Sequence, residues 1–319
     1  MNNNDEYFQI SLSILNKFSR SLKFDIYVQR SESKFTKIFQ KGDSIDWDRI
    51  DSYKNKGINF FFVSSDDYKI YSIFLERLGE YLNDSETKVS TSESIDILKE
   101  LSSFTLNEII KNISVNDRIV NNASNVVNGC IDVLGKNPKA MVEILKQVSS
   151  QKYILKHSMA VSLFSVMLAE ASGIESPINI SIIGLGAFLH DVGVGQLTFD
   201  PEDMKLLTPE QRKEMWRHPE LGQQMVVNMK GIRSEVSQII LQHHEQPNGH
   251  GYPNGLKGPE IYHPAKIVSI ADAFSAMISK RSFRDSMNVS EAVKRLVDLP
   301  GQFDKNLVAT FRDMVLVPN

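Results

Sequence analysis

Residues 178–193 read INISIIGLGAFLHDVG. The apolar run Ile178–Leu189 is typical of a buried helix, and it leads directly into His190 and Asp191, followed by Val192-Gly193 at a helix end. Neighbouring helical residues point about 100° apart, so both side chains face one cavity only near a helix end or at a wide site. Imidazole and carboxylate are usual ligands of zinc, manganese and iron. The alternative is a C-terminal histidine that interacts with the helix dipole.

All seven histidines lie between His157 and His263, and most of the others repeat this theme. Each has an ordinary explanation when taken alone, such as a core histidine or a surface residue at a helix start. A carboxylate at Asp272, inside an apolar helix, is costly unless it is paired or binds a metal. A shared metal centre would remove the cost of burying so many polar groups. The candidate ligands are His157, His190, Asp191, His218, His243, His244 and Asp272.

Composition narrows the function classes. The 319 residues suggest two domains, and 41% hydrophobic and 24% charged residues are ordinary for a globular protein. A net charge of −3 provides no basic field for long nucleic acid. The single cysteine, Cys130, fits a reducing compartment. Neither a secretory signal nor an apolar run of about 18 residues is visible, so we expect a cytoplasmic protein with no membrane span.

Hydrophobic periodicity predicts a mainly α fold with three regions. Residues 1–85 are expected to form a small α+β regulatory or interaction domain, with strands over 24–29, 35–39 and 57–63 and a helix over 68–82. Residues 86–150 are expected to be a linker and connecting helices. Residues 151–319 are expected to be an all-helical domain. Its predicted helices are 153–171, 178–191, 209–217, 219–229, 234–244, 263–280, 290–298 and 304–315.

Several ordered motifs resemble the HD-GYP phosphodiesterases of the HD-domain superfamily. The similarity covers roughly residues 150–315, and so many ordered pieces make it specific. The matching pieces are His190-Asp191-Val192-Gly193, His218-Pro219-Glu220-Leu221-Gly222, His243-His244-Glu245, Gly249-His250-Gly251-Tyr252-Pro253, Gly255-Leu256-Lys257-Gly258, Ile270-Ala271-Asp272, Arg281-Ser282-Phe283-Arg284 and Gly301-Gln302-Phe303-Asp304.

The resemblance implies an HD-type metallohydrolase domain with two divalent ions, iron first and manganese as the alternative. It places one ion on His157, His190, Asp191 and Asp272. It places the second on Asp191, His218, His243 and His244, with Asp191 bridging the two as the central catalytic residue. The implied reaction hydrolyses cyclic di-GMP to linear pGpG and/or onward to GMP, and a related cyclic dinucleotide is the alternative substrate. The implied substrate contacts are Arg281, Arg284, Tyr252 and Gly251.

Four positions depart from the family pattern. Val194 stands where the family usually has a lysine that reaches the substrate phosphate or metal-bound water. Tyr153 stands where members with a third metal carry a glutamate, so we predict two ions. Ser275 replaces a common aspartate and Phe283 a common tyrosine, which weakens supporting hydrogen bonds.

Two alternatives stay open at this stage. The first is a degenerate HD-GYP protein that keeps its metals and responds to a cyclic dinucleotide as a binding and signalling module; Val194 favours it, and the complete ligand set argues against it. The second is another HD-superfamily enzyme, either a hydrolase of another nucleotide or a di-iron oxygenase. The resemblance also suggests protein partners such as GGDEF proteins at the Gly-Tyr-Pro loop, and a homodimer.

Overall fold

The chain divides into two compact units, Met1–Thr87 and Lys88–Asn319. The structure is a computed structural model that describes residues 7–10, 12, 14–15, 21–31, 34–58, 60–84, 89–111, 116–147, 153–201, 206–280 and 285–316. The division falls close to the end predicted for the small amino-terminal domain.

The first unit contains four strands, β1 (Tyr7–Ile10), β2 (Ile26–Ser31), β3 (Lys34–Phe39) and β4 (Phe61–Ser64). They form one sheet with the strand order β1-β4-β2-β3. Its ladders are antiparallel, and Val28 lies opposite Thr36 in the β2–β3 hairpin, which joins two of the predicted strands. Buried Ile26 and Val28 alternate with the more exposed Tyr27 and Gln29, as expected for a strand with one face in the core. Two helices complete the described part of this unit, α1 (Trp47–Asn55) between β3 and β4, and α2 (Ser65–Asn83) after β4.

Two of these elements were missed by the sequence patterns, and one predicted strand starts late. Neither β1 nor α1 was predicted; α1 begins at an N-cap in which the Asp46 side chain accepts a hydrogen bond from the Arg49 N–H. The strand predicted over 57–63 begins at Phe61 instead. Gly57 has a φ of 80°, and its N–H donates to the Lys54 carbonyl, so it belongs to the turn that ends α1.

Among the described residues of the second unit, the regular elements are all helices, apart from one isolated bridge between Asn248 and Lys257. The mainly α fold class is therefore confirmed. Its helices are α3 (Thr91–Lys111), α4 (Asp117–Lys136), α5 (Ala140–Gln147), α6 (Tyr153–Ala171), α7 (Pro177–Leu189), α8 (Pro209–Met215), α9 (His218–Val226), α10 (Ser234–Gln242), α11 (His263–Ile278), α12 (Val289–Val297) and α13 (Lys305–Leu316).

The helix that decides the fold ends earlier than its periodicity predicts. It starts at the N-cap Ser176, whose side chain accepts a hydrogen bond from the Asn179 N–H, with Pro177 at the first turn. It ends at Leu189, and a 3-10 turn over Val192–Gln196 follows. The prediction of helix through 191 was therefore wrong. Since His190 and Asp191 lie at the break, the two side chains can face the same cavity.

Close helix packing surrounds α7. A Cβ built on Gly184 would lie 2.6 Å from Val127 Cγ1 of α4, and one built on Gly186 would lie 2.7 Å from Ile239 Cγ2 of α10. These two glycines therefore let α7 pack directly against both neighbouring helices. The connecting helices α3 to α5 pack against helices that lead into or carry predicted metal ligands, and they belong to the same unit.

Two segments, Tyr153–Ala171 and Pro177–Gln196, are long and apolar enough to cross a membrane by length and composition alone. In the structure, 72% and 67% of their apolar windows are buried inside the protein. They carry His157, His190 and Asp191, and their burial is typical of core helices that surround a site. The absence of a membrane span stays a prediction.

Candidate metal centre

Five helices bring the predicted ligands to one place. His157 projects from α6, His190 and Asp191 follow α7, and His218 is the first residue of α9. His243 and His244 follow α10, and Asp272 lies within α11. Four of the five histidines are buried, while His244 is half-buried and keeps 27% of its side chain exposed. All seven predicted ligands lie in one cluster.

The cluster consists of two groups that share one carboxylate. Candidate donor atoms of Asp191, His218, His243 and His244 all lie within 4.8 Å of one another, as do those of His157, His190 and Asp191. The two oxygens of Asp191 divide between them: Oδ1 lies 3.2 Å from His218 Nε2, and Oδ2 lies 3.2 Å from His190 Nε2. The second carboxylate belongs with the smaller group, because Asp272 Oδ1 lies 3.0 Å from His157 Nε2.

Hydrogen bonds on the far side of the rings orient three of these histidines. Nδ1 of His190 donates to the Ala187 carbonyl at 2.7 Å, Nδ1 of His218 to the Met215 carbonyl at 2.7 Å, and Nδ1 of His243 to the Ile240 carbonyl at 2.8 Å. A carbonyl only accepts, so the proton of each neutral ring sits on Nδ1. The lone pair of Nε2 is then directed into the cluster, as in a metal-bound histidine.

The orientation of His157 depends on a weaker partner. Its Nδ1 lies 3.1 Å from Ser275 Oγ, which occupies the position where the family commonly has an aspartate. The hydroxyl keeps the hydrogen bond but lacks the charge that would make the imidazole more basic. Ser275 therefore supports His157 through a neutral hydrogen bond, in line with the weaker support expected from the sequence.

Two buried ring nitrogens have no hydrogen-bond partner among the described residues, Nε2 of His157 and Nε2 of His190. Each lies near a carboxylate oxygen but without hydrogen-bond geometry. A buried polar atom without a partner costs free energy, and a cation between the imidazole and the carboxylate would satisfy both. The donor set of five imidazoles and two carboxylates therefore fits divalent metal ions.

The electrostatics of the cluster favour bound positive charge. Burial alone would raise the pKa of Asp191, but His190 and His218 hold it well below its usual range. Burial would lower the pKa of His190, but Asp191 and Asp272 raise it to about 9. Burial and the neighbouring His218 lower the pKa of His244 to about 4. Despite burial, histidines also hold the pKa of Asp272 below its usual range, so both carboxylates stay negatively charged and favour a bound cation.

The turn after Asp191 packs tightly against the start of α9. A Cβ built on Gly193 would lie 2.0 Å from the His218 carbonyl oxygen and 2.5 Å from the Gly222 nitrogen. No side chain fits there, so this glycine sets the distance between Asp191 and His218. Val194 is half-buried in the same turn. Within the described part of the chain, Asp191 and Asp272 form ion pairs with histidines alone.

A buried glutamate organises the Gly-Tyr-Pro loop over 245–262. Glu245 is only 2% exposed, and its carboxylate accepts hydrogen bonds from the N–H groups of Asn254 at 2.7 Å and Leu256 at 2.8 Å. Gly251 packs on this backbone, since a Cβ there would lie 2.3 Å from the Gln246 nitrogen. In the sequence, Glu245 is distinguished only as part of the His243-His244-Glu245 motif. The structure gives it a role in fixing the loop beside His244.

Of the predicted substrate contacts, two lie beside the cluster and two cannot be placed. The Tyr252 ring lies 4.7 Å from the His244 ring, and its N–H donates to the His244 carbonyl. Arg281 and Arg284 lie outside the described residues, as does Phe283. Tyr153, at the position of the third-metal glutamate, stacks its ring on His157 at 5.2 Å.

Comparisons with known proteins agree with this geometry. The family model for the HD domain matches residues 146–307, about half of the chain, so the chain belongs to the HD-domain family. A solved HDG"Y"P protein from Bdellovibrio bacteriovorus is similar over 97% of this chain and 99% of that one, with a TM-score of 0.71 and 26% identity. The resemblance to HD-GYP proteins is thereby confirmed.

Two curated relatives are named cyclic di-GMP phosphodiesterases. The one from Pseudomonas aeruginosa is 29% identical over 59% of this chain, and the one from Thermotoga maritima is 32% identical over 51% of it. The matched regions cover 46% and 45% of those proteins, so the chain spans about half the length of the curated relatives it matches.

Proposed function

We propose that this protein is a metal-dependent phosphodiesterase that hydrolyses cyclic di-GMP at a binuclear centre, one water opening the ring to pGpG and/or a second cleaving pGpG to two GMP. The observation that carries the proposal is the shared carboxylate: each oxygen of Asp191 faces a different group of histidines, at 3.2 Å from His190 and from His218. A carboxylate placed in this way suits two ions that sit side by side. The names of the curated relatives support the substrate.

The ligands divide as the resemblance implies. His157, His190, Asp191 and Asp272 would hold one ion, and Asp191, His218, His243 and His244 would hold the other. Iron is the first candidate and manganese the alternative, because imidazole and carboxylate together suit both. When bound, two such ions lower the pKa of a shared water and neutralise charge on the phosphodiester.

The residues of the chain itself supply orientation and enclosure. The backbone carbonyls behind His190, His218 and His243 fix those rings, so little reorganisation is needed when the site is loaded. The loop held by Glu245 places Gly251 and Tyr252 beside His244, where we propose that they contact the substrate. We propose that Arg281 and Arg284 pair with its phosphates.

A second candidate function rests on Val194. Because a valine cannot reach a phosphate, the chain would retain its ions and bind a cyclic dinucleotide while turning it over slowly or not at all. It would then act as a ligand-responsive module that signals to a partner. For either function we also propose a contact with protein partners such as GGDEF proteins through the Gly-Tyr-Pro loop, a homodimer and a cytoplasmic location. The buried Cys130, the single cysteine of the sequence, supports the location.

One assay separates the two functions. The purified protein is incubated with Mn²⁺ or Fe²⁺ and cyclic di-GMP, products are followed by chromatography, and Asp191→Ala serves as the control for loss of both ions. Formation of pGpG by the wild-type protein alone supports the enzyme. About two ions per chain without product would leave only the binding module, and a metal content near zero would exclude both.

A further inference from the structure

Trp216 is an exposed aromatic side chain directly beside the metal cluster. Its indole is 51% exposed and stacks on the Tyr252 ring, with 5.8 Å between ring centroids and 29° between planes. The Tyr252 ring in turn lies 4.7 Å from His244 at 32°. The three rings form a series that leads from a predicted metal ligand to the protein surface, which we call the aromatic series.

The backbone of Trp216 belongs to the same turn as the carbonyl that orients a predicted metal ligand. Trp216 follows α8 directly, and its backbone N–H donates to the Arg212 carbonyl at 3.1 Å. The adjacent Met215 carbonyl accepts the Nδ1 proton of His218. One turn of chain therefore presents the indole to solvent and orients a metal ligand. A ligand group that stacks on Trp216 would therefore lie near the predicted metal ligands His218 and His244.

The chemistry around the indole suits an anion that carries an aromatic ring. Arg212, Lys213 and Arg217 are exposed on the same turn, and Arg212 shares a helix face with Trp216. The nearby carboxylate of Glu214 is already engaged by the N–H and hydroxyl of Thr198, at 2.6 and 2.9 Å. A nucleotide combines these properties, because its base stacks on aromatic rings and its phosphates attract cations.

We propose that Trp216 is a specificity-determining residue that stacks a purine base of the substrate, extending the aromatic series outward from Tyr252. The inference rests on the proposed function and adds a residue that would favour phosphodiesters carrying a nucleobase over those that carry none, because a base presents a face that stacks on the indole. Stacking of a base on an aromatic side chain strengthens binding by roughly tenfold. The contact is made equally in the ground state and the transition state, so it lowers KM and leaves kcat almost unchanged.

The test uses the fluorescence of the indole itself. Only two tryptophans occur in the chain, so Trp47→Phe leaves Trp216 as the single fluorophore. In the metal-loaded Trp47→Phe protein, added cyclic di-GMP should change the emission of Trp216 with a saturable dependence. Trp216→Ala should raise the Kd and KM for cyclic di-GMP by roughly tenfold, and Trp216→Phe should recover most of the loss. Metal content and melting temperature should match those of the wild-type protein.

Two results would overturn the inference in distinguishable ways. Binding of cyclic di-GMP by Trp216→Ala with wild-type Kd would overturn the stacking role alone and leave the phosphodiesterase intact. Failure of the wild-type protein to bind or hydrolyse cyclic di-GMP, measured by calorimetry and chromatography, would overturn the proposed function together with the inference.

Discussion

At the scale of single residues, the site depends on which atom of each ring faces inward. Backbone carbonyls take the Nδ1 protons of His190, His218 and His243, and this leaves Nε2 free for an ion. The sequence singled out the seven residues that the structure brings together, because imidazole and carboxylate on apolar helices are an unusual pattern. It could not predict the carbonyl partners, because any residue supplies a carbonyl and only the fold decides which one lies behind each ring.

Val194 is the position at which the chain lacks the lysine that usually reaches the substrate phosphate in this family. Substitution at this position tests whether the missing cation limits turnover. Val194→Lys is expected to raise the kcat for cyclic di-GMP by roughly tenfold or more, because a cation beside the phosphodiester stabilises developing negative charge. Initial rates at saturating metal measure the effect, and Val194→Leu is the matched control for side-chain size. Equal rates in all three proteins would show that this position does not limit turnover.

At the scale of elements, the contact between α7 and α10 sets the spacing of the ligands. Gly186 lies four residues before His190, and Ile239 lies four residues before His243. Because Gly186 has no side chain, the two helices approach closely just where both sets of ligands begin. The periodicity of residues 178–189 predicted a buried helix, but it did not reveal which glycine touches a partner, since such a contact is made between distant segments.

Substitution at Gly186 should therefore damage both stability and metal binding. Gly186→Ala places a Cβ within 2.9 Å of three atoms of Ile239. We expect a loss of about 1–3 kcal/mol in the free energy of unfolding, together with weaker metal binding. Urea unfolding and a metal titration measure these effects.

Gly135→Ala in α4 is the control, because no atom lies within 4 Å of the added Cβ. It should stabilise the protein by about 0.5–1 kcal/mol, as expected for alanine in a helix. Equal stabilities for the two variants would contradict the close approach of α7 and α10.

The Gly-Tyr-Pro loop is a second element whose structure depends on one side chain. Glu245→Gln keeps the shape of the side chain but removes one of its two acceptor oxygens, so one backbone N–H loses its partner. We expect unfolding to cost about 1–3 kcal/mol less, and the KM for cyclic di-GMP to rise while metal content is retained. Glu260→Gln is the matched control, since that exposed carboxylate accepts only the Lys257 N–H in the same loop. Similar KM values for both variants would contradict the role of Glu245.

At the scale of the whole molecule, the helical unit is organised around a site that joins five helices. Its mainly α class followed from periodicity alone, whereas β1 and α1 of the other unit were missed because such short segments carry little periodicity. Trp216 was missed for another reason: a single exposed aromatic residue is ordinary in a sequence, and only its stack on Tyr252 gives it meaning. The distribution of ligands over five helices also means that bound ions would hold the unit together.

The most direct test of the binuclear phosphodiesterase is a metal titration of turnover. Protein stripped by a chelator is given increasing Mn²⁺, and the ions bound per chain are measured beside the initial rate of cyclic di-GMP hydrolysis. We predict no hydrolysis by the stripped protein, a rate that rises until two ions are bound per chain, and no further rise beyond that point. Full hydrolysis with one ion per chain, or none with two bound, would contradict the account.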